Sequence, residues 1–189
     1  VFDAGCAFKA IPDYAFAYSD ALTSVRLSEK IEKVGKYAFA YDGKLETVIL
    51  PDCVETIATY AFRESALANF VLPSSVTTIE TYAFTETNIT EIDLSNVTVL
   101  GNSVFANCEL LEKVVLNGTL ESIPTGLFFS CNALKDMNLP ATVTSIGSDS
   151  FVGTAFESFT IPASVSTLGI NVFSGMNKLK SFTVEAGND

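Results

Sequence analysis

Eight phenylalanines recur along the chain at a nearly fixed interval: Phe16, Phe39, Phe62, Phe84, Phe105, Phe128, Phe151 and Phe173, with gaps of 23, 23, 22, 21, 23, 23 and 22 residues. An irregular globular core has no cause to space one aromatic in this way. A stack of equivalent coils does, because every coil must set the same ring at the same depth. The chain therefore reads as one repeat array, and its function is to be sought on a surface rather than in a pocket.

Aligning the phenylalanines brings the rest of the unit into register. Leu45, Val48, Leu50, Pro51, Val54, Ile57, Ala61 and Phe62 are matched by Leu67, Phe70, Leu72, Pro73, Val76, Ile79, Ala83 and Phe84. Leu134, Met137, Leu139, Pro140, Val143, Ile146 and Phe151 repeat the series. Full copies begin at Leu22, Leu45, Leu67, Ile89, Leu111, Leu134 and Phe156. Residues 1–21 hold most of an earlier copy and residues 179–189 the start of a later one. Residues 1–189 thus form a single repeat domain without a linker.

Within a copy, Val48 and Leu50 alternate with Thr47 and Ile49, which is strand periodicity with one face inward. The proline that follows (Pro51, Pro73, Pro140, Pro162) cannot donate to a ladder, so it ends the strand and opens a turn. From Val54 to Phe62 the apolar spacing of three, then four to five, predicts extended chain leading into one helical turn or a short 3₁₀ piece. No single coil can bury its own apolar edge. Stacked coils can, with strands about 4.8 Å apart in a parallel sheet.

The segment Leu67 to Phe84, L-A-N-F-V-L-P-S-S-V-T-T-I-E-T-Y-A-F, resembles the BspA-like leucine-rich repeat, a variant of 22–23 residues. The A-F-x-x-C run before the next unit is represented by Phe105-Ala-Asn-Cys108 and Phe128-Phe-Ser-Cys131. The resemblance spans essentially the whole chain. It implies a leucine-rich repeat solenoid of the α/β type: a right-handed superhelix with a parallel β-sheet on its concave side, and short 3₁₀ or helical turns and loops on its convex side. It also implies a secreted or cell-surface protein of a host-associated bacterium, with adhesion as the expected role. The repeat motif brings no catalytic or ligand residues with it. Ser28, Ser95 and Asn117 depart from it at the proline position, and Ser19, Asp42, Ser65, Thr87, Thr154 and Met176 at the cysteine position.

Composition narrows the partners. The net charge is −11, and no Lys or Arg lies between Glu64 and Glu112. Nucleic acid, which needs clustered cations, is a poor partner. The acidic stretch reads as a solubilising face or as a site for a basic partner or Ca²⁺, with no D-x-D-x-D-G loop to support calcium. No apolar run reaches the roughly 18 residues of a membrane span. The chain begins within a repeat and without Met, which suggests a processed or trimmed piece with no visible signal peptide. Neither end shows a polar capping unit, so apolar edges are expected near Phe2 and Phe182, covered by further sequence or by self-association.

Chemistry is conspicuous by what is missing. The chain has no histidine, which removes the commonest general base, the Ser-His-Asp triad and His-based zinc sites. There is no close Cys-x-x-Cys pair for zinc and no phosphate-binding glycine loop. Carboxylates such as Glu91 and Asp93 sit on a solvated strand face, whereas glycosidase chemistry needs a cleft. No enzyme, cofactor or metal is expected. Of the four cysteines, Cys108 and Cys131 occupy equivalent places in adjacent copies, as two small buried thiols or as a disulfide. Cys6 and Cys53 have no partner in register.

Candidate partner-binding residues then follow from strand alternation. The central outward row on the concave side is Arg26, Ile49, Val71, Asp93, Val115, Asn138, Thr160 and Thr183; beside it run Ser24, Thr47, Asn69, Glu91, Lys113, Asp136, Ser158 and Ser181. Ile49 and Val71 make a small apolar patch, and no aromatic stands in either row, which argues against a platform for sugar rings. Tyr14, Tyr37, Tyr60 and Tyr82 form another row, two residues before their phenylalanines. They either cover the edge of the core or offer a binding stripe, since Tyr suits interfaces. The expected function is protein recognition or adhesion through the concave sheet; a structural spacer and a glycan-binding module are the alternatives.

Overall fold

The computed structural model describes residues 8–68 and 70–187. The expectations for Phe2, Cys6 and Asn69 concern positions outside the described residues. The chain winds as stacked coils, and the described strands pair only in parallel, each with its counterpart in the adjacent coil. Two columns of short strands result. The first, where Val48 and its equivalents point inward, holds Ser24–Arg26 paired with Thr47–Ile49, Glu91–Asp93 with Lys113–Val115, and Ser158–Ile161 with Ser181–Val184. The second is more continuous. Ala10–Ile11, Lys33–Val34, Thr56–Ile57, Thr78–Ile79 and Val99–Leu100 make a five-stranded sheet, and Ser122–Ile123, Ser145–Ile146 and Thr167–Leu168 a three-stranded one.

The expected single strand column is thus interrupted. Where strands pair in the first part of the column, the inward residue is Val25, Val48, Ile92 or Val114. At the breaks it is Phe70 or Met137, which are bulkier. The Phe70 ring wedges between Phe62 and Phe84, with centroids 5.8 and 5.2 Å away. Bulk alone does not cause a break, since Phe159 and Phe182 hold the same position in a four-residue parallel pair.

All coils share one core. Phe39, Phe62, Phe84, Phe105, Phe128 and Phe151 are fully buried, and the eight rings from Phe16 to Phe173 stack at 5.2–6.1 Å. Leu45, Val54 and Ile57 and their equivalents complete the interior.

The turns around the phenylalanines are not helical: among the described residues there is no helix of any kind. This corrects the expectation of helical or 3₁₀ turns. Two residues before each phenylalanine, and again two after it, the backbone is left-handed, from Tyr14 (φ 59°) and Tyr18 (φ 62°) to Asn171 (φ 55°) and Gly175 (φ 70°). Alternation of hand turns every second N–H along the stack. In one coil Tyr37, Phe39 and Tyr41 donate to the carbonyls of Thr59, Ala61 and Arg63 in the next, at 3.1, 2.8 and 2.7 Å. A helix would direct those donors along its own axis, within one coil, and leave the stack unbonded.

Candidate functional site

Every member of the proposed central row, Arg26, Ile49, Val71, Asp93, Val115, Asn138, Thr160 and Thr183, is exposed on the face of the first strand column. Pairing sets Arg26 beside Ile49, Asp93 beside Val115 and Thr160 beside Thr183. Glu91 lies beside Lys113, and Lys113 approaches Asp136 at 3.9 Å. Asp93 is partly engaged, because its Oδ1 accepts the Ser95 amide at 2.8 Å and so makes the turn that proline makes elsewhere. Val71 and Asn138 fall at the two breaks.

The breaks shape this face. At the first, a groove of about 470 Å³ runs between Phe70–Ser74 and the strands carrying Glu91, Asp93, Lys113 and Val115. Val71 is 81% exposed at its edge. Among the described residues no backbone hydrogen bond joins residues 70–72 to either adjacent coil. A strand position in the interior of the array is therefore left with unpaired amides, an exposed apolar side chain and ionic groups alongside. The second break opens a smaller groove of about 330 Å³ between Met137–Leu139 and Ser158–Thr160. Strand alternation marks the exposed rows; the groove depends on pairings that fail, and side-chain bulk does not foretell it, because Phe159 and Phe182 pair normally.

The tyrosine row lies on the turn face and is not part of the core. Tyr14, Tyr37, Tyr60 and Tyr82 stack on one another at 4.8, 4.6 and 4.9 Å, with planes within 20° of parallel. Tyr18 and Tyr41, on the other side of the phenylalanine spine, stack at 4.6 Å. The Arg63 guanidinium bridges the two rows, 5.5 Å from the Tyr41 ring and 5.6 Å from that of Tyr60, and it is paired with Glu64 at 2.8 Å. Burial pushes the Tyr37 and Tyr41 hydroxyls up from their ordinary range, so these rings stay neutral. Tyr14 and Tyr18 are 60% and 67% exposed. The sequence alignment finds the first row; the second row and the left-handed backbone beneath both carry no equally plain signal.

The cysteine column is a structural one. Cys53, Cys108 and Cys131 are free thiols, so the alternative of a Cys108–Cys131 bridge is set aside. Cys108 donates to the Phe84 carbonyl at 3.0 Å and Cys131 to that of Phe105 at 3.1 Å, one coil back. Burial raises the Cys108 thiol to about 11, and Cys131 well above its usual range, so neither is a reactive thiolate. Ser65, Thr87 and Thr154, in the same column, donate instead to the phenylalanine carbonyl of their own coil, at 2.8–2.9 Å. Asp42 is the exception: it is fully buried, its Oδ1 accepts the Ser19 amide at 2.7 Å, and its Oδ2 has no partner among the described residues. Burial pushes its carboxyl up to about 6 against the opposing Ser19 amide. No group of three or more His, Cys, Asp or Glu side chains that could hold a metal occurs among the described residues, and no helix there is long and apolar enough to cross a membrane.

Comparison with solved structures places the coil geometry among bacterial repeat proteins. A leucine-rich repeat protein from Bacteroides ovatus superposes with a TM-score of 0.73 at 26% identity, over 92% of this chain and 55% of that one. The T. pallidum leucine rich repeat protein gives a TM-score of 0.72 at 24% identity, over 94% and 74%. A leucine rich cell surface protein from Faecalibacterium prausnitzii gives 0.53 at 22%, over 93% and 63%. This chain spans about half the length of the Bacteroides protein. No protein of curated function matches it. The profile of the BspA type leucine rich repeat region, in six copies, matches residues 9–135 and 98–188. With that profile over nearly its whole length, the chain belongs to the BspA-type leucine-rich repeat family.

Proposed function

We propose that the chain is a non-enzymatic recognition module of a secreted or cell-surface bacterial protein, and that it binds a protein ligand, such as a host matrix or surface protein, through the face of the first strand column. The observation that carries this reading is the break at residues 70–72. There an 81% exposed Val71 and unpaired backbone groups stand beside Glu91, Asp93 and Lys113. An extended segment of a partner can satisfy those amides, bury the valine and meet charge of either sign, which is how peptide strands are captured. Ile49, 47% exposed, and Val115, 41% exposed, extend the apolar contact on either side. The surface location draws support from family membership and from the Faecalibacterium relative, itself described as a cell surface protein. The absence of histidine from the chain supports a role without acid–base catalysis.

The test is binding of the purified chain to immobilised matrix proteins, compared with an Ile49→Asp/Val71→Asp double variant. Each desolvated aspartate should cost at least roughly 1.4 kcal/mol, a factor of ten, so the double variant should lose measurable binding. Wild-type-like binding by the double variant would remove the strand face from consideration. A second reading is a spacer that holds another part of a longer protein away from the cell, favoured by the 55% coverage of the Bacteroides relative. Absence of any binding by this chain, together with binding by a longer form that contains it, would select the spacer.

A further inference from the structure

The tyrosine ladder stops abruptly, and the place where it stops is a depression. At the ladder position the residues after Tyr82 are Ser103 and Gly126, with Asp149 beyond. The backbone there is unchanged: φ is 58° at Tyr82, 53° at Ser103 and 62° at Gly126. What changes is the side chain, from a ring to a hydroxymethyl group to nothing. Among the described residues Tyr82 has one stacked ring partner, Tyr60 at 4.9 Å and 2°. Its other face therefore looks along the stack, over Ser103 and Gly126, into a hollow of about 480 Å³ that Phe129, 37% exposed, also lines. Gly126 keeps the floor open, since a Cβ at that position would come within 2.7 Å of Ser103 Oγ.

The ladder itself states what fits such a hollow. Three successive ring pairs adopt parallel stacking at 4.6–4.9 Å, the spacing imposed by neighbouring coils. The next rung is built in backbone and lacks only its ring. The rim carries Glu86 and Asp149; Glu86 reaches back to Arg63 at 3.5 Å, and Arg63 is further engaged by Glu64 and the Tyr41 and Tyr60 rings, which leaves Asp149 as the rim carboxylate without an ion pair among the described residues. The site thus offers an aromatic face, acceptor groups and negative charge.

We propose that this hollow binds an aromatic side chain carried beside a basic residue on a partner protein, the ring continuing the tyrosine ladder past Tyr82 and the cation meeting Asp149. This site is independent of the strand-face reading, from which it is separated by the coil interior. A neutral sugar, which also stacks on tyrosine, lacks the charge the rim is set to receive.

Tyramine, a phenol ring bearing one ammonium group, is the probe, with maltose as the uncharged alternative. Backbone amide signals of Ser103, Asn107 and Gly126 are followed by NMR during titration. Tyramine is expected to shift them saturably, and Tyr82→Ser to weaken it about tenfold, the worth of one good stacked pair. Ser103→Tyr should abolish binding by supplying the missing rung from within. Both variants place residues that the same left-handed position already carries elsewhere in the chain, so the fold is retained, as unchanged melting would verify. The Ile49→Asp/Val71→Asp variant should bind tyramine as wild type does. No saturable shift in wild type, or shifts that survive Ser103→Tyr, would overturn the site. Shifts with maltose and none with tyramine would overturn the assignment of its ligand.

Discussion

The turn face is built twice on one backbone. In the coils of Phe16 to Phe84 the two left-handed positions hold Tyr14, Tyr37, Tyr60 and Tyr82, and Tyr18, Tyr41, Glu64 and Glu86. In the coils of Phe105 to Phe173 they hold Ser103, Gly126, Asp149 and Asn171, and Asn107, Ser130, Gly153 and Gly175. The dihedrals hardly differ, at φ 53–65° in the first set and 53–75° in the second. Conformation at these positions is thus dictated by the hydrogen bonds between coils and not by residue type. Residue type decides how the strain is met. Gly, Asn and Asp accept the left-handed region at little cost, whereas other L-residues lose about 1–2 kcal/mol there. A stacked aromatic pair returns about 0.5–1.5 kcal/mol, so the ladder offsets most of what its own backbone costs. The rings beneath follow suit. Phenylalanine centroids stand 5.2–5.4 Å apart under the tyrosines and 5.8–6.1 Å apart in the other half. One half presents a stiff aromatic surface, and the other a low polar one.

The sharpest way to break this comparison is to ask whether it reaches the core. Phe84 and Phe128 are both fully buried and stacked on both sides, at 5.4 and 5.6 Å for Phe84 and at 6.0 and 5.8 Å for Phe128. Phe84→Ala and Phe128→Ala should each cost roughly 3–5 kcal/mol in urea unfolding, by lost burial plus the cavity left behind. Equal costs would confine the difference between the halves to the turn face. A Phe128→Ala cost below about 1 kcal/mol would mean that the second half is loosely packed throughout.

A second asymmetry concerns pH. Among the described residues only the first half buries a carboxylate, Asp42, with its acidity shifted from an ordinary 3.8 to about 6. The folded state holds this proton more tightly than the unfolded one, so the group's contribution to stability falls as pH rises from about 4 to about 6 and is level above that. A shift of this size corresponds to roughly 2–3 kcal/mol. Asp42→Asn retains an oxygen for the Ser19 amide and removes the titration. Melts of the two proteins from pH 4 to 7 should diverge, with wild type losing ground relative to the variant on the alkaline side. Parallel curves would show that Asp42 is charged and solvated in the fold.

How much of this was legible beforehand depends on whether a residue's own chemistry announces its backbone. The spine was legible because Phe16 to Phe173 keep both identity and spacing, and the exposed rows because Thr47–Ile49 alternate with period two. The left-handed positions were half legible. Asn107, Gly153, Asn171 and Gly175 favour that region, but Tyr14, Tyr60 and Glu64 do not, and the alignment puts them at the same places. The helical reading failed for a related reason: inward residues three to five apart are produced equally by a helical turn and by a chain that alternates hand. The groove at Val71 was not legible, because it arises from pairing lost around Phe70 and not from any property of Val71 itself.

The finest test of the comparison separates strain from stacking at one residue. Tyr60 is stacked on both faces, at 4.6 Å on Tyr37 and 4.9 Å on Tyr82, and sits at φ 58°. Tyr60→Ala removes the ring with both its stacking contacts and keeps a Cβ in the left-handed region, so the full stacking loss is felt. Tyr60→Gly removes the same ring and relieves the backbone. Glycine, ordinarily the more destabilising choice by roughly 0.5–1 kcal/mol, should here be better than alanine by about 1 kcal/mol. At Asp149, where no ring is stacked and the residue tolerates the left-handed region, Asp149→Gly should change stability by less than about 0.5 kcal/mol. If alanine at position 60 proves equal to glycine, the left-handed backbone carries no strain there. The tyrosines would then be present for the surface they make and not for the turn they stabilise.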